Sequence, residues 1–376
     1  MNRVIQYIGS LDRGGAQSAI MNLYRRVDRK KWQFDFVTHD EHEGELEHEV
    51  SSLGARVFRI PKLQDAGYHA FRDNWIKLLS AHPEWQILHS HMRSTASLVI
   101  PVAKTNGLAT IVSSHSTSNG RGAKAFIKML LQIPIRKEAD FLIGCSREAG
   151  EWLFGRKACQ SNSYLYLPNA IDIGVYRYDA GLRQKIRSEL GLGNSLVFGH
   201  VGRLHESKNH VFLLRVFEGL LRKYPHAKLL LVGEGPLRND IEEQIDALGI
   251  RYAVCMLGNR SDVPALLQAM DVFLFPSKWE GLPVSVVEAL CAGLPCYVSD
   301  SITHDIDIHE SIVRLSIDDP EKWVDAISNI SRVDATEAIR DHGFDINDSV
   351  RALTAMYQNA VAVSRVRKSD LQRKLG

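Results

Sequence analysis

Apolar positions along this chain fall into short runs separated by longer stretches with helical spacing. In the first half the runs cover 4–8, 34–37, 57–60, 87–89, 110–113 and 141–145. In the second half they cover 196–201, 228–232, 253–257, 272–275, 296–298 and 312–315. Each is β-rich, and each gap is long enough for one helix. Such alternation predicts parallel sheets covered on both faces. Twelve strands are too many for one compact sheet with these connections, so two doubly wound α/β domains are expected. The segment between Pro168 and Asn194 holds a turn signal, a polar helix pattern and a Gly-rich exit, and marks the boundary. The expected division is 1–172, 173–344 and a final helical stretch 345–376, whose polar, basic end from Ser364 is expected to fray.

Composition changes this picture little. The 376 residues, 45% apolar and 24% charged, give ample material for two cores. A net charge of +2 gives no ground for nucleic-acid binding. Residues 1–172 carry 22 Lys and Arg against 17 Asp and Glu, whereas the remainder carries 24 against 27. The first half therefore weakly favours an anionic surface or ligand. Cys145, Cys159, Cys255, Cys291 and Cys296 are odd in number and lie mostly in apolar runs, which reads as reduced thiols rather than disulfides or a zinc site. The start, MNRVIQYIG, enters a strand directly and lacks a secretory pattern, and no run approaches the ~18 apolar residues of a membrane span. A cytoplasmic protein is expected, with contact to the inner face of the plasma membrane left open.

Candidate chemistry concentrates where strands end. In PSKWEGLPVSVVEALCAG, Pro276 to Gly293, a buried strand gives way to a loop and then a helix for which Pro283 suits the first position and Gly293 the end. Ligands of open parallel sheets bind at that edge, and the free N–H groups of a helix start suit a diphosphate. Glu280 and Glu288 could then grip vicinal hydroxyls, Glu280 on a sugar and Glu288 on a ribose. The ordinary alternative is that Glu280 caps the helix and Glu288 meets a lysine. Arg203 and Lys208, in GHVGRLHESKN, stand past the first strand of the second domain, where two permanent cations would offset a departing diphosphate.

In the first domain, GSLDRGG from Gly9 to Gly15 has P-loop spacing but lacks the following Lys-Ser/Thr, which excludes a P-loop NTPase. No G-x-G-x-x-G is present, so a dinucleotide fingerprint is absent as well. Gly14 and Gly15 either form a tight turn or let a ligand reach the backbone. His115 follows a strand run at a sheet edge. His89 and His91 share one face of a strand end but have no third ligand in view. Asp305 and Asp307 spell D-x-D after the wrong element, and the acidic run 40–50 lacks H-E-x-x-H, so no metal is expected. The run RGAKAFIKMLLQIPIRK, from Arg121 to Lys137, is basic and amphipathic and fits either an anionic lipid surface or a helix with a solvated face.

Taken in order, GRL with Lys208-Asn209, LLLVGEGPLRNDIE, the stretch from LGNRSD to CYVSD, GSLDRGGAQSAIMNLYR, HSHMRST, IVSSHSTS and LPNAID resemble the retaining glycosyltransferases of family 4, over nearly the whole chain. The similarity is to bacterial enzymes that build exopolysaccharide and capsule. The resemblance implies a GT-B fold, in which two Rossmann-like domains face each other across a cleft and the final helix returns to the N-terminal domain. The C-terminal domain would bind the nucleotide sugar, with UDP as the family's usual nucleotide, and the N-terminal domain the acceptor, a glycan or polyprenyl-diphosphate-linked glycan. Arg203, Lys208 and the backbone amides of Leu282 and Val284 would hold the diphosphate, Glu280 the sugar and Glu288 the ribose. The Arg260 backbone would touch the base, Gly14 and Gly15 would approach the donor phosphates, and His115 would hydrogen-bond the reacting sugar or acceptor. No cofactor is implied beyond the nucleotide sugar as co-substrate. An epimerase or phosphorylase on the same fold, or a non-catalytic scaffold of a polysaccharide assembly complex, are the competing readings.

Overall fold

The computed structural model describes residues 1–12, 14–115, 123–328 and 330–375. The chain forms two compact units, Met1–Ala170 with Ile346–Gly376, and Ile171–Asp345. Unit 1 holds strands β1 (Asn2–Tyr7), β2 (Trp32–Thr38), β3 (Val57–Arg59), β4 (Trp85–Ser90), β5 (Ala109–Ser114), β6 (Phe141–Gly144) and β7 (Tyr164–Tyr166). Unit 2 holds β8 (Val197–Val201), β9 (Lys228–Val232), β10 (Val254–Gly258), β11 (Val272–Phe275), β12 (Cys296–Ser299) and β13 (Ile312–Leu315). All pairings are parallel, in the orders β3-β2-β1-β4-β5-β6-β7 and β10-β9-β8-β11-β12-β13. The continuous apolar runs have the physical cause inferred for them. Every residue of β2, β5 and β11 is buried, because helices cover both faces of each sheet.

Strand order reverses between β1 and β4 in unit 1, and between β8 and β11 in unit 2. Neighbouring crossovers leave in opposite directions at such a point, so the loops there splay apart and open a crevice at the carboxyl edge.

Two elements depart from the sequence reading. The three-residue β7 went unnoticed because an edge strand that short, and only half-buried, leaves no periodic signal. The polar C-terminal end is not a tail beyond the last element, for a single helix runs from Ile346 to Leu375. Its polar side chains serve as anchors on unit 1. The Ser364 hydroxyl donates to Gly107 O at 2.8 Å, and Lys368 Nζ donates to the carbonyls of Pro83 and Trp85, each at 2.8 Å. Arg367 Nη2 pairs with Asp140 at 2.9 Å.

One buried charge is fixed inside the first sheet. Asp35, on β2, is fully buried and accepts from Arg3 Nη1 at 2.5 Å, Arg56 Nη2 at 2.6 Å and Trp85 Nε1 at 2.7 Å. Burial alone pushes its pKa up, but the bonds from Arg56, Trp85 and Arg3 together outweigh it and hold the carboxyl below its usual range. A depressed carboxyl pKa contributes stability that is present above the unfolded value and lost as pH falls through the folded one. Asp35→Ala is expected to lower stability by about 3 kcal/mol at neutral pH, since it strands the Arg3 guanidinium and the Trp85 indole N–H and leaves Arg56 with Glu84 alone. Urea unfolding should show that deficit shrinking between about pH 4 and the acid limit, where the parent carboxyl itself protonates.

Candidate active site

At the reversal in unit 2 the loop that follows β8 meets the loop that follows β11. After β8 the chain passes Gly202 and Arg203 and tightens into a single helical turn, Glu206–Lys208. Asn209 ends that turn with φ 54 and ψ 48, the left-handed region that asparagine tolerates better than other side-chain-bearing residues. The sharp reversal turns Lys208 inward before the helix His210–Lys223 begins. The second loop is tied to the first by its backbone, through Lys278 N–H to Ser207 O at 2.8 Å. The two loops bring Lys208 Nζ to 2.7 Å from Glu280 Oε1, with both side chains about 15% exposed (15% and 16%). The ammonium also lies 4.6 Å from the centre of the Phe275 ring.

Glycines let a third strand loop press against this one. Gly233, just past β9, has φ 141, and a Cβ there would stand 2.0 Å from Gly202 O. A Cβ on Gly235 would stand 2.3 Å from Leu204 O. In place of side chains the loops exchange backbone bonds, Gly202 N to Val232 O at 2.9 Å and Leu204 N to Glu234 O at 3.0 Å. Arg203 is exposed on this loop.

The helix after β11 starts one residue later than its sequence suggests. Pro283 is the cap, with φ −78 and ψ 82, and the helix is Val284–Cys291. That cap conformation closes a tight three-residue turn in which Val284 N–H donates to Leu282 O at 3.0 Å. The Val284 amide is therefore not a free donor here, contrary to the expectation from the sequence; a ligand must open this turn to use it. Glu288 lies inside the helix and meets no lysine. The Tyr176 hydroxyl donates to its Oε1 at 2.7 Å. Burial raises the Glu288 pKa, and that hydroxyl partly offsets the rise. Tyr176 was missed by sequence reasoning, because the short helix Ile173–Tyr176 that follows LPNAID gives no sign that its tyrosine reaches a residue 112 positions away. Arg260 follows β10 and is clasped by Asp262 through Nε at 2.7 Å and Nη2 at 2.6 Å, which leaves its backbone rather than its guanidinium for other partners.

Beneath Lys208 two histidines are buried neutral. His200 bonds through Nδ1 to Leu274 O at 2.8 Å, and its ring lies 5.0 Å from that of His210. Burial, with Lys208 nearby, pushes His210 down to about 4. No second positive charge competes from below for an anion at Lys208.

In unit 1 the corresponding reversal carries a different chemistry. Gly14 caps the helix Gly15–Arg26 in an extended conformation, and neither Gly14 nor Gly15 has positive φ. A Cβ on Gly15 would meet nothing within 4 Å among the described residues, and one on Gly14 would meet only the flexible end of Gln17. Turn geometry thus does not require either glycine. His115 directly follows β5, and its Nε2 lies 2.9 Å from His91 Nδ1. Burial, then Arg93, pushes His115 down to about 4, so it is neutral at pH 7. Asp307 of the D-x-D pair is held by His304 at 2.6 Å and Arg314 at 2.7 Å. Among the described residues, no group of three or more His, Cys, Asp or Glu could hold a metal ion. The five cysteines are free thiols.

Two doubly wound parallel-sheet units, with Lys208 and Glu280 meeting at a strand-order reversal, define an α/β protein of the open-sheet class whose ligands bind at that edge. Comparison with known proteins makes the class specific. A domain model described as Glycosyl transferase 4-like domain matches residues 14–170, and one described as Glycosyl transferases group 1 matches residues 183–330. EpsF of Bacillus subtilis (strain 168), named as a glycosyltransferase, is 32% identical over 368 residues, covering 94% of this chain and 96% of that protein. An Escherichia coli protein named UDP-Gal:alpha-D-GlcNAc-diphosphoundecaprenol alpha-1,3-galactosyltransferase is 29% identical over 228 residues, 58% of each chain. Among solved structures, Anabaena HepE in complex with UDP and glucose superposes with a TM-score of 0.69 at 17% identity, covering 99% of this chain and 100% of that one. The chain belongs to the glycosyltransferase family that these two domain models describe, and its fold is GT-B.

Gly233→Ala is expected to destabilise the protein by about 3 kcal/mol, combining a left-handed backbone with overlap on Gly202 O. Because the overlap falls on the loop that carries Lys208, a thermal melt and a UDP titration should weaken together. A loss of stability with unchanged nucleotide affinity would show that this crossing does not hold the site.

Proposed function

We propose that the protein is a retaining glycosyltransferase, independent of metal. It moves a sugar from a UDP-sugar to a hydroxyl of a glycan or polyprenyl-diphosphate-linked glycan in cell-surface polysaccharide synthesis. The observation that carries this reading is the meeting of Lys208 and Glu280 at the strand-order reversal of unit 2, beside the exposed Arg203. Lys208 is held by Glu280 until a stronger anion competes for it. A diphosphate seated there takes the ammonium, and frees the Glu280 carboxylate to accept from sugar hydroxyls. As the bond from the anomeric carbon to the phosphate oxygen breaks, negative charge grows on the diphosphate. Lys208, Arg203 and the amide of Leu282 stabilise that charge, which lowers the barrier because the charge is greatest in the transition state. The acceptor oxygen attacks from the face that the diphosphate leaves, and its proton passes to the departing phosphate oxygen. No separate base is needed.

In this reading Glu288, braced by Tyr176, accepts from the ribose hydroxyls, and the turn at Val284 opens to donate to phosphate. The Arg260 backbone meets the base. Gly14 and Gly15 leave room for a phosphate at the start of their helix, and His115 hydrogen-bonds a sugar hydroxyl. The donor class is supported by HepE, which was crystallised with UDP and glucose, and by the UDP-Gal donor in the Escherichia coli relative's name. That name also supports a lipid-diphosphate acceptor. A role in surface-polysaccharide synthesis rests on the motif resemblance to exopolysaccharide and capsule enzymes. Lys208→Ala and Glu280→Ala are each expected to lower kcat/KM by roughly 10²–10³-fold in an assay with UDP-sugars and a polyprenyl-diphosphate sugar. The product's anomeric centre, read by NMR, should match the donor's; an inverted centre, or full turnover by both variants, overturns the reading.

The same function calls for a surface that meets the lipid-linked acceptor. The helix Ala123–Gln132 exposes Phe126, Ile127, Met129 and Leu130 together with Lys128. Residues 116–122, including Arg121 of the basic run, and the Lys124 side chain lie outside the described residues. No described helix is long and apolar enough to cross a membrane. We assign this helix to an anionic lipid surface, the apolar side chains entering the interface and the lysine meeting phosphate. In flotation with vesicles containing anionic phospholipid, the parent should float. Phe126→Asp with Leu130→Asp should sediment, and Lys128→Glu should float less; equal flotation of all three would rule the helix out.

A further inference from the structure

The edge of unit 1 carries a continuous chain of hydrogen bonds that ends at His115. Gln6, on β1, is a buried amide inside the apolar run VIQYI. Its Oε1 faces His91 Nε2 at 2.8 Å, and its Nε2 donates to the Tyr357 hydroxyl at 3.1 Å. Tyr357, on the C-terminal helix, lies 2.9 Å from His89 Nδ1, and His89 Nε2 lies 2.7 Å from the Ser113 hydroxyl. On the other side His91 Nδ1 lies 2.9 Å from His115 Nε2. His115 Nδ1 is buried and has no hydrogen-bond partner among the described residues.

A chain of neutral histidines can run in either direction, because each imidazole has one N–H and one lone pair. The Gln6 amide decides which. Its oxygen can only accept, so His91 must carry its proton on Nε2. The lone pair of His91 then sits on Nδ1 and must receive a proton, so His115 carries its own on Nε2. What remains is the His115 Nδ1 lone pair, buried and without a partner among the described residues. This order requires both rings to be neutral. Burial lowers His91 well below its ordinary range, with His89 and His115 adding to the effect, and His115 is lowered as described above.

We propose that Gln6 and His91 are positioning residues that lock His115 in its Nε2–H tautomer, so that His115 meets a sugar hydroxyl as an acceptor and never as a donor. The inference rests on the assignment of His115 to substrate, and adds which groups orient it and which way the bond points. A hydroxyl that donates to Nδ1 keeps its oxygen lone pairs free for other contacts. A substrate group offering only an acceptor, such as a methoxy group or an added carboxylate, is refused at this position.

The test uses the full chain labelled with ¹⁵N-histidine, His115 being assigned through His115→Gln. His115 Nδ1 should resonate as an unprotonated nitrogen and Nε2 as a protonated one. Two substitutions of His91 separate orientation from packing. His91→Asn places an accepting oxygen where Nδ1 stood, whereas His91→Phe restores the ring but not the acceptor. Turnover by His91→Asn is expected within about fivefold of the parent, the scale of one neutral hydrogen bond. His91→Phe should lose roughly tenfold to a hundredfold, mostly in kcat, with the His115 tautomers mixed. Gln6→Met should reproduce that loss and that mixture, and serves if His91→Phe does not fold. A protonated Nδ1 in the parent, or His91→Phe equal to or better than His91→Asn, overturns the proposal. His115→Ala separates the two readings. If it is inactive while His91→Phe and Gln6→Met are active, only the positioning role falls; if it is fully active, the assignment of His115 to substrate falls, and this proposal with it.

Discussion

The pairing of Lys208 with Glu280 depends on where each charge has been taken. Both side chains are largely withdrawn from water, and neither would be placed there alone, because an unpaired charge loses solvation that nothing restores. Together they are neutral to the surroundings and the loops can close over them. The arrangement is also exchangeable. A diphosphate carries more negative charge than one carboxylate, and vicinal hydroxyls can satisfy the carboxylate it displaces. In the proposed exchange the ammonium passes from one anion to another, and Glu280 Oε1, which lies 2.7 Å from Lys208 Nζ without an aligned hydrogen bond, gains donors.

That exchange needs two loops held at fixed separation, and the fold supplies this by simple means. Parallel strands bring all their carboxyl ends to one edge, and the reversal between β8 and β11 parts the two loops. The backbone bond from Lys278 to Ser207 sets their distance, and the left-handed Asn209 sets the direction of Lys208. The glycines divide by cause. Gly233 and Gly235 are required by the protein's own atoms, since a Cβ at either would overlap a carbonyl oxygen. Gly15 is required by nothing within the described chain, where a side chain would enter open space.

Much of this was legible in the sequence, for identifiable reasons. Both sheets announce themselves because strands buried on two faces must be apolar throughout, and the loops carrying Arg203, Lys208 and Glu280 follow those strands directly. What could not be read depends on contacts between distant segments. Tyr176 lies 112 residues from the Glu288 it supports. The C-terminal end looks like a polar tail, and is helical because carbonyls near residues 83, 85 and 107 accept from Lys368 and Ser364. The closed turn at Val284 follows from the backbone angles of Pro283, which residue type alone does not settle. Gln6 left a trace, a polar residue within an apolar strand run, although its partners on β4 and the final helix could not be foreseen.

The two reversals share one electrostatic feature. In unit 2 the nearby histidines, His200 and His210, are kept neutral by burial, so they add no positive charge beside Lys208. In unit 1 burial likewise removes charge from His89, His91 and His115, with Arg93 adding to the effect at His115. Neutral acceptors bind hydroxyls by direction rather than by charge, and direction is what distinguishes one sugar from its epimer. Burial of imidazole thus has the same electrostatic effect in both units: it removes a titrating charge from beside the strand-order reversal, and leaves direction rather than charge as what these rings can offer a partner.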